Sequence, residues 1–485
     1  MITDRRLRAI GYGAFKRFPV IKRVLGAFKF YVRTKNRRPA IPPIEPATYS
    51  IREIVPSCDL PRLFYDISAI SLNKDARGIH RVVINVLKQL SAKYHTDFLI
   101  VTVRSSRNGI LTCDIKECNG EYHYSTTGGM CITVNPGDIF LSLDLYRKFN
   151  FTALQELRRE GLKVYFIIYD LLDIRTCCLG ERDFITRTVA RTARQAYRNW
   201  LHGVMSVSDG VICDSRAIVN ELLEWLCKNT NDYRRNIPLG FFHLGADFRS
   251  SRDVDHGISV EHSSTICIDK SKPNFLMVGV MDPHKGHIQT IHAFEQLWGN
   301  NIDVNLIIVG KEGALQPHIG QMICRHAEYG HRLHWHGFVD DDVLSLLYDN
   351  CTALLATSFS EGFGLPLIEA AHHKLPIIAR DIPVFREVAG SYAYFFKNNT
   401  VEDMAESIIS WLSLANDSKF PESCGMPYLD WPASTRQLMD IIMNDRWSAY
   451  WSPEKSHHHK FKKGNALVAI DDPRCQGSCR LSEME

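Results

Sequence analysis

Beginning at residue 62 the chain alternates short apolar runs with longer amphipathic stretches, in two series separated by a polar interval at 249–272. Continuous apolar runs suit strands covered on both faces, and stretches of helical period suit the helices that cover them, so parallel α/β architecture is expected. In the first series Leu63–Ile67, Phe98–Val103, Ile139–Leu143 and Val164–Tyr169 read as strands, with a helix over Ile79–Leu90. Val204–Asp214 reads as a strand or a strand and turn, after which Ser215 caps a helix over Ala217–Cys227. In the second series Asn274–Val280, Val304–Val309, Leu333–Trp335, Ala353–Ala356 and Ile377–Ala379 read as strands. Ile288–Trp298, Asp340–Tyr348, Pro366–His373, Val401–Ala415 and Trp431–Met443 read as helices. Pro366 falls in a first turn, where a missing N–H costs nothing. A chain of 485 residues exceeds one ordinary core, so two domains are expected, at 60–250 and 273–445, joined by a linker at 251–272.

Charge and cysteine usage narrow the function classes. The formal charge of +4 is unevenly spread: residues 1–40 hold twelve Lys or Arg against Asp4 alone, which leaves the remainder net acidic. Bulk charge therefore gives no reason to expect a nucleic-acid partner. The fourteen cysteines are scattered, many inside apolar runs as Cys213, Cys267 and Cys351 are, and Cys475 and Cys479 have no obvious partners. They read as free thiols of a reducing cytosol, with no zinc cluster. No stretch approaches the ~20 apolar residues of a membrane span, and the amino terminus lacks the apolar core of a secretory signal. A cytoplasmic protein is expected.

Two appendages flank the α/β region. Leu7, Ile10, Ala14, Phe18, Ile21, Leu25, Phe28 and Val32 recur at helical spacing among basic residues, with Pro19 splitting the run. Such a segment either lies in the headgroup layer of an anionic membrane, through residues 1–35, or packs its stripe on the protein's own core. Residues 37–43 read as an extended linker closing a segment at 1–45, and 453–485 as a mobile polar tail.

The most informative string is Ser358-Phe-Ser-Glu-Gly-Phe-Gly-Leu-Pro-Leu-Ile-Glu-Ala-Ala371. An apolar strand enters a loop with Gly362 and Gly364 and leaves it as a helix opening near Pro366. Glycines permit close backbone approach to a ligand, and a helix start offers free N–H groups and a positive dipole end, which suits a diphosphate. Glu361 and Glu369 bracket this cradle and can reach opposite ends of one elongated ligand, sugar hydroxyls at Glu361 and a ribose diol at Glu369. Taken by spacing alone, the segment is equally a strand-to-helix turn with surface carboxylates.

The whole string resembles the donor-site signature of family 4 glycosyltransferases. That resemblance implies the GT-B fold, two Rossmann-like domains with parallel sheets facing across a cleft, and transfer from a nucleotide sugar with retained anomeric configuration. In Phe275-Leu-Met-Val-Gly-Val-Met-Asp-Pro-His-Lys-Gly-His287 it implies a pyrophosphate contact at Lys285, although Val280 and His284 stand where many relatives carry arginine. It implies that Gly362, Phe363, Gly364 and Leu365 line the donor and that Val339, in His336-Gly-Phe-Val-Asp340, lies near the base plane. Asp340 is in any case a good cap for the next helix. Ala379–Gly390 reads as scaffold behind the pocket.

In the first domain Leu63–Val83 resembles a narrower subgroup that includes bacterial mannosyltransferases of lipopolysaccharide O-antigen. Gly78 and Ile79 would then form the loop under the donor phosphates, and Asp170 would face the cleft on the acceptor side. Asp173 and Cys177-Cys178 depart from the subgroup's pattern, which leaves acceptor contacts there undefined. Phe242–Asp247 matches the segment leaving the first domain. The subgroup implies GDP-mannose as donor, a glycan or lipid-linked glycan as acceptor, and no metal ion. A nucleotide-sugar epimerase, a sugar phosphorylase and a non-catalytic scaffold of a glycan assembly complex are the rival readings.

Overall fold

The structure, a computed structural model, describes residues 60–453 except 72–76, 119–120, 126–127, 172–183, 230–234, 247–267, 314–315, 317, 338 and 398. The basic segment at 1–45, most of the interdomain linker, Asp173, Cys177, Cys178 and the tail beyond 453 lie outside the described residues.

In chain order the first half runs β1 (Arg62–Asp66), α1 (Arg77–Lys93), β2 (Leu99–Ser106), β3 (Gly109–Thr112), β4 (Ile115–Cys118), β5 (Glu121–Tyr124), β6 (Ile139–Ser142) and α2 (Phe151–Arg159). It continues through β7 (Lys163–Ile168), α3 (Phe184–Val207), β8 (Gly210–Cys213), α4 (Arg216–Lys228) and β9 (Ile237–Phe241). The second half holds β10 (Asn274–Val278), a short 3-10 turn at Pro283–Lys285, α5 (His287–Gly299), β11 (Asn305–Val309), α6 (Ile319–Cys324), β12 (Leu333–His336) and α7 (Asp341–Asn350). After these come β13 (Ala353–Ala356), α8 (Leu365–His372), β14 (Ile377–Arg380), α9 (Pro383–Ala389), β15 (Tyr394–Phe396), α10 (Val401–Asn416), α11 (Trp431–Met443) and β16 (Ala449–Trp451).

The second sheet is parallel throughout, in the order β12-β11-β10-β13-β14-β15. The first has the order β16-β9-β8-β7-β6-β1-β2-β3 and is parallel except for its two edge strands. Each is doubly wound, with strand order reversing beside β1 in one and β10 in the other, and ligands bind such sheets outside the carboxyl ends of strands near that reversal. Strand burial explains the legibility of the pattern: β8, β11, β13 and β14 are buried at every residue, as parallel strands with helices on both faces must be. Helix starts follow local capping. Ser215 accepts from the Ile218 N–H, Asp340 from Val343 and Asp430 from Ala433.

Two sequence expectations are corrected here. Val204 belongs to α3 rather than to a strand over Val204–Asp214, and the strand is confined to Gly210–Cys213. Trp200, Leu201, Val204 and Val207 recur at helical spacing on the buried side of α3, and an apolar run that short does not distinguish helix from strand. The second correction concerns α11, which the sequence pattern assigns to the second domain at 273–445. It packs on α1 of the first half, and the chain then adds β16 antiparallel to β9. The Ser434 hydroxyl donates to the His243 carbonyl at 2.7 Å, and the His243 N–H donates to Gln437 Oε1 at 2.9 Å. Trp447, just before β16, stacks on Tyr165 with ring centroids 5.9 Å apart and covers Gly210, where a Cβ would strike its ring, and Gly240, where a Cβ would meet Ile441 at 2.9 Å and the indole at 3.3 Å. Trp447→Ala should therefore destabilise the first half by about 3–5 kcal/mol, read as a lower unfolding midpoint in denaturant. A change below about 1 kcal/mol would mean that β16 is not needed to hold the sheet edge.

Candidate active site

The site is built where β13 of the second half ends. Thr357 is buried, and its hydroxyl donates to the Lys285 carbonyl at 2.8 Å, while the Phe359 N–H donates to the His284 carbonyl at 2.7 Å. These bonds stitch the loop after β13 to the 3-10 turn after β10. Gly286 is required there: its φ is +80°, and a Cβ would lie 2.7 Å from the Thr357 carbonyl oxygen. So fixed, Lys285 Nζ donates to both carboxylate oxygens of Glu361, at 2.7 and 2.6 Å. Burial pushes the Glu361 carboxyl up, but the Lys285 ammonium outweighs it and holds the group below the usual glutamate range. Burial drives His284 down to about 4 and His287 to about 3, with Lys285 adding to both, so the pair's two histidine neighbours are neutral. Neither ring nitrogen of the buried His287 has a protein partner, and the ring lines a cavity of about 30 Å³ beneath Lys285, Ser358 and Glu361.

The loop then crosses to the first half. A Cβ on Gly362 would lie 2.1 Å from the Tyr169 carbonyl oxygen and 2.8 Å from Asp214 Oδ2, so only glycine allows this approach. The Ser215 hydroxyl donates to the Gly362 carbonyl at 2.8 Å while capping α4. Asp170 and Asp214 follow adjacent strands β7 and β8, and Asp214 meets this contact. Burial, then Asp170 and Glu361, push the Asp214 carboxyl well above its ordinary range, and Oδ1 has no hydrogen-bond partner. Beside it, Glu387 of α9 accepts from the Arg216 and Ala217 N–H groups, both at 2.8 Å, and pairs with His243 Nε2 at 2.8 Å. A side chain of the second half thus satisfies the free amides at the start of a helix in the first.

Gly364 opens α8 with φ +93° against the Phe385 ring, and Leu365 is partly buried at the first position. Glu369, one turn further on, is buried and doubly engaged: Arg81 Nη1 donates to Oε1 and the Tyr348 hydroxyl to Oε2, each at 2.8 Å. Arg81 comes from α1, whose head carries Gly78, exposed, and Ile79, packed on the core. That head follows a braced loop in which Asp144 accepts from the Ala69 and Ile70 N–H groups and Asp66 from the Ser142 hydroxyl. Val339 precedes α7, the helix that supplies Tyr348, and is half-buried. The Phe363 side chain is buried against the His243 ring, at 5.4 Å, so it packs the interface rather than opening to a ligand.

Lys285, Glu361, Gly362, Gly364, Leu365 and Glu369 therefore belong to the second half, and Asp170 and the head of α1 to the first. Sequence reasoning missed Arg81, Asp214, Tyr348 and Glu387. Asp214 had a legible signal, an acid directly after the apolar run Val211-Ile212-Cys213, at the end of a parallel strand. Among the described residues no group of three His, Cys, Asp or Glu could hold a metal ion, and no helix is long and apolar enough to cross a membrane.

Two doubly wound halves packed carboxyl end to carboxyl end around this loop define the GT-B class of glycosyltransferase folds. Residues 261–425, in the second half, match the family Glycosyl transferases group 1. The serotype-specific mannosyltransferase WbdA of Escherichia coli is 29% identical over 384 residues, which are 78% of this chain and 44% of that protein. The O-antigen chain mannosyltransferase RfbU of Salmonella typhimurium is 34% identical over 140 residues, 28% of this chain and 38% of that one. The chain thus spans less than half the length of these relatives. Among solved structures, sucrose-phosphate synthase of Thermosynechococcus elongatus superposes with a TM-score of 0.55 at 15% identity, over 79% of this chain and 98% of that one. Anabaena HepE, in complex with UDP and glucose, superposes with a TM-score of 0.50 at 13% identity, over 79% and 100%.

Two outcomes test the geometry. Lys285→Met strands the Glu361 carboxylate and should cost on the order of 3 kcal/mol at neutral pH. Because Glu361 is held below its ordinary value, the pair stabilises above the glutamate range and loses that contribution as pH falls through the lower folded value. The difference in Tm between wild type and variant should accordingly shrink on acidification, and a difference independent of pH would rule the pair out as its source. Gly362→Ala should hold the halves apart, seen as a larger radius of gyration in small-angle scattering; an unchanged radius would show that the contact is not limiting.

Proposed function

We propose that this chain is a retaining hexosyltransferase that moves mannose from GDP-mannose to a hydroxyl of a growing glycan of the lipopolysaccharide O-antigen type. The observation that carries the reading is the Lys285–Glu361 pair beside a glycine loop and helix start, with Glu369 one turn beyond. Support for the sugar comes from relatives named for mannosyl transfer, and support for a nucleoside diphosphate donor from HepE, which is held with UDP and glucose.

In this mechanism the bond between the anomeric carbon and the β-phosphate oxygen breaks, and its electron pair passes to that oxygen. The acceptor hydroxyl oxygen bonds to the same face of the carbon, and its proton passes to the phosphate. No protein nucleophile and no metal ion are required. Lys285 and the amides from Gly362 to Gly364 stabilise the growing phosphate charge, which makes their binding strongest in the transition state. Glu361 orients the sugar hydroxyls, Glu369 holds the ribose diol, and Val339 rests against the base. Gly78 and Ile79 pass under the phosphates, and Asp170 contacts the acceptor. Packing of the halves excludes water that would otherwise hydrolyse the donor. With a lipid-linked acceptor, residues 1–35 hold the enzyme to the cytoplasmic face of the membrane.

The test is a donor panel of GDP-mannose, UDP-glucose and UDP-N-acetylglucosamine, each with and without a mannoside acceptor, with the product linkage read by NMR. Acceptor-dependent release of GDP and an α-linked product are expected. Glu361→Gln should lower kcat by about 100-fold or more, and Glu369→Ala should weaken GDP binding about tenfold. A new nucleotide sugar formed without acceptor would identify an epimerase, dependence on inorganic phosphate a phosphorylase, and wild-type turnover in Glu361→Gln would remove this mechanism.

A further inference from the structure

We propose that Arg81 is a second cation for the donor diphosphate, parked on Glu369 until the ribose displaces it. The inference rests on the donor-site reading above and adds a residue from the opposite half of the molecule.

Charge balance in the second half motivates it. A bound nucleoside diphosphate sugar carries two negative charges, and the departing phosphate gains a third before it takes up the acceptor's proton. Against this the second half sets Lys285, whose ammonium is already shared between both oxygens of Glu361, so the pair contributes no net charge. The two neighbouring histidines are neutral, and Val280, the exposed residue after the first glycine of the β10 loop, carries none. Arg380 is buried beneath the loop, donating to the Thr357 carbonyl, Asn399 and Gln289, with its guanidinium 4.0 Å from the centroid of the Phe359 ring. Helix-start amides supply only about half a charge. A diphosphate at the start of α8 would be undercompensated by its own domain.

Arg81 stands where the deficit is. Its Nη1 lies 2.8 Å from Glu369 Oε1, and Glu369 is four residues into α8, about 6 Å along the axis from the helix start. That separation is within the swing of an arginine side chain. The two partners of Glu369 differ in how easily they leave. Tyr348 is buried, whereas the Arg81 side chain is 38% exposed. A vicinal diol approaching Glu369 therefore exchanges for Arg81, and the released guanidinium meets phosphate oxygens that suit its planar, forked donors. A nucleoside alone breaks the ion pair and offers no anion to replace the carboxylate. A nucleoside diphosphate breaks it and supplies a better partner.

The experiment compares paired probes by calorimetry: guanosine with GDP, and uridine with UDP. In Arg81→Met, binding of the preferred nucleoside should be no weaker than in wild type, because the pair it must break is gone. The matching diphosphate should bind about 10- to 100-fold more weakly. Arg81→Lys, which keeps the charge and loses the fork, should recover part of that preference. Glu369→Gln removes the ion pair but keeps Arg81, so nucleoside binding should weaken while the preference for diphosphate over nucleoside is kept or sharpened. Equal tightening of both probes in Arg81→Met would reduce Arg81 to a plug, and equal weakening would reduce it to a prop for Glu369; either overturns the proposal, as does a lost preference in Glu369→Gln. Wild-type protein that binds neither GDP nor UDP would overturn the donor-site reading itself, a distinct result.

Discussion

An ammonium group spanning both oxygens of a largely buried carboxylate, as Lys285 does with Glu361, fixes the position of everything around it. Each charge alone would be costly at this largely buried position, and each is retained because the other is within 2.7 Å. The constraint propagates in both directions. Backward, it demands the tight turn at Gly286 and the two hydrogen bonds that tie that turn to Thr357 and Phe359. Forward, it leaves the next residue, Gly362, no course except against the first half, where a carbonyl oxygen and Asp214 leave no room for a side chain.

Three of the contacts between the halves differ in their chemistry. The Ser215 hydroxyl holds a backbone carbonyl, Glu387 holds the amides of a helix start, and Arg81 holds a carboxylate. The first two lie beside the loop and use groups that are satisfied only when the halves are together. The third is an ion pair whose arginine side chain is partly exposed. One contact is unfavourable: Asp214 is sealed in with an oxygen that finds no donor, among acids that raise its pKa. Buried polar groups left unsatisfied cluster at functional sites because the surrounding packing forces them there. The proximity of Asp214 to Asp170 and to the glycine loop fits that pattern.

The second half was the more legible in the sequence. Its strands are short, continuously apolar and bounded by Gly, Pro or a capping acid, so Ala353–Ala356 falls where the pattern puts it. In the first half, β9 carries Pro238 and Gly240, and β16 is three residues long, so neither shows as a strand before its partner is known. The end of α3 was misassigned because Val204 and its neighbours are as apolar as the strand that follows. At the site, local chemistry was readable and cross-domain chemistry was not. Glycine spacing and a helix start mark the cradle. The role of Arg81 as partner of Glu369, or of Glu387 as cap for α4, depends on which surfaces the two halves turn toward each other. No local period encodes that.

On the ribosome, Ile237 of β9 emerges long before Trp451, the residue it pairs with. Until then the nascent first half has an open strand edge, and Gly210 and Gly240 have no indole over them. The second half suffers no such delay, since its six strands come from one continuous stretch between Asn274 and Phe396. The half translated first is finished last. Its sheet edge stays open while the whole second half is made, a vulnerability to misassembly that strand order imposes and that the arrival of β16 removes.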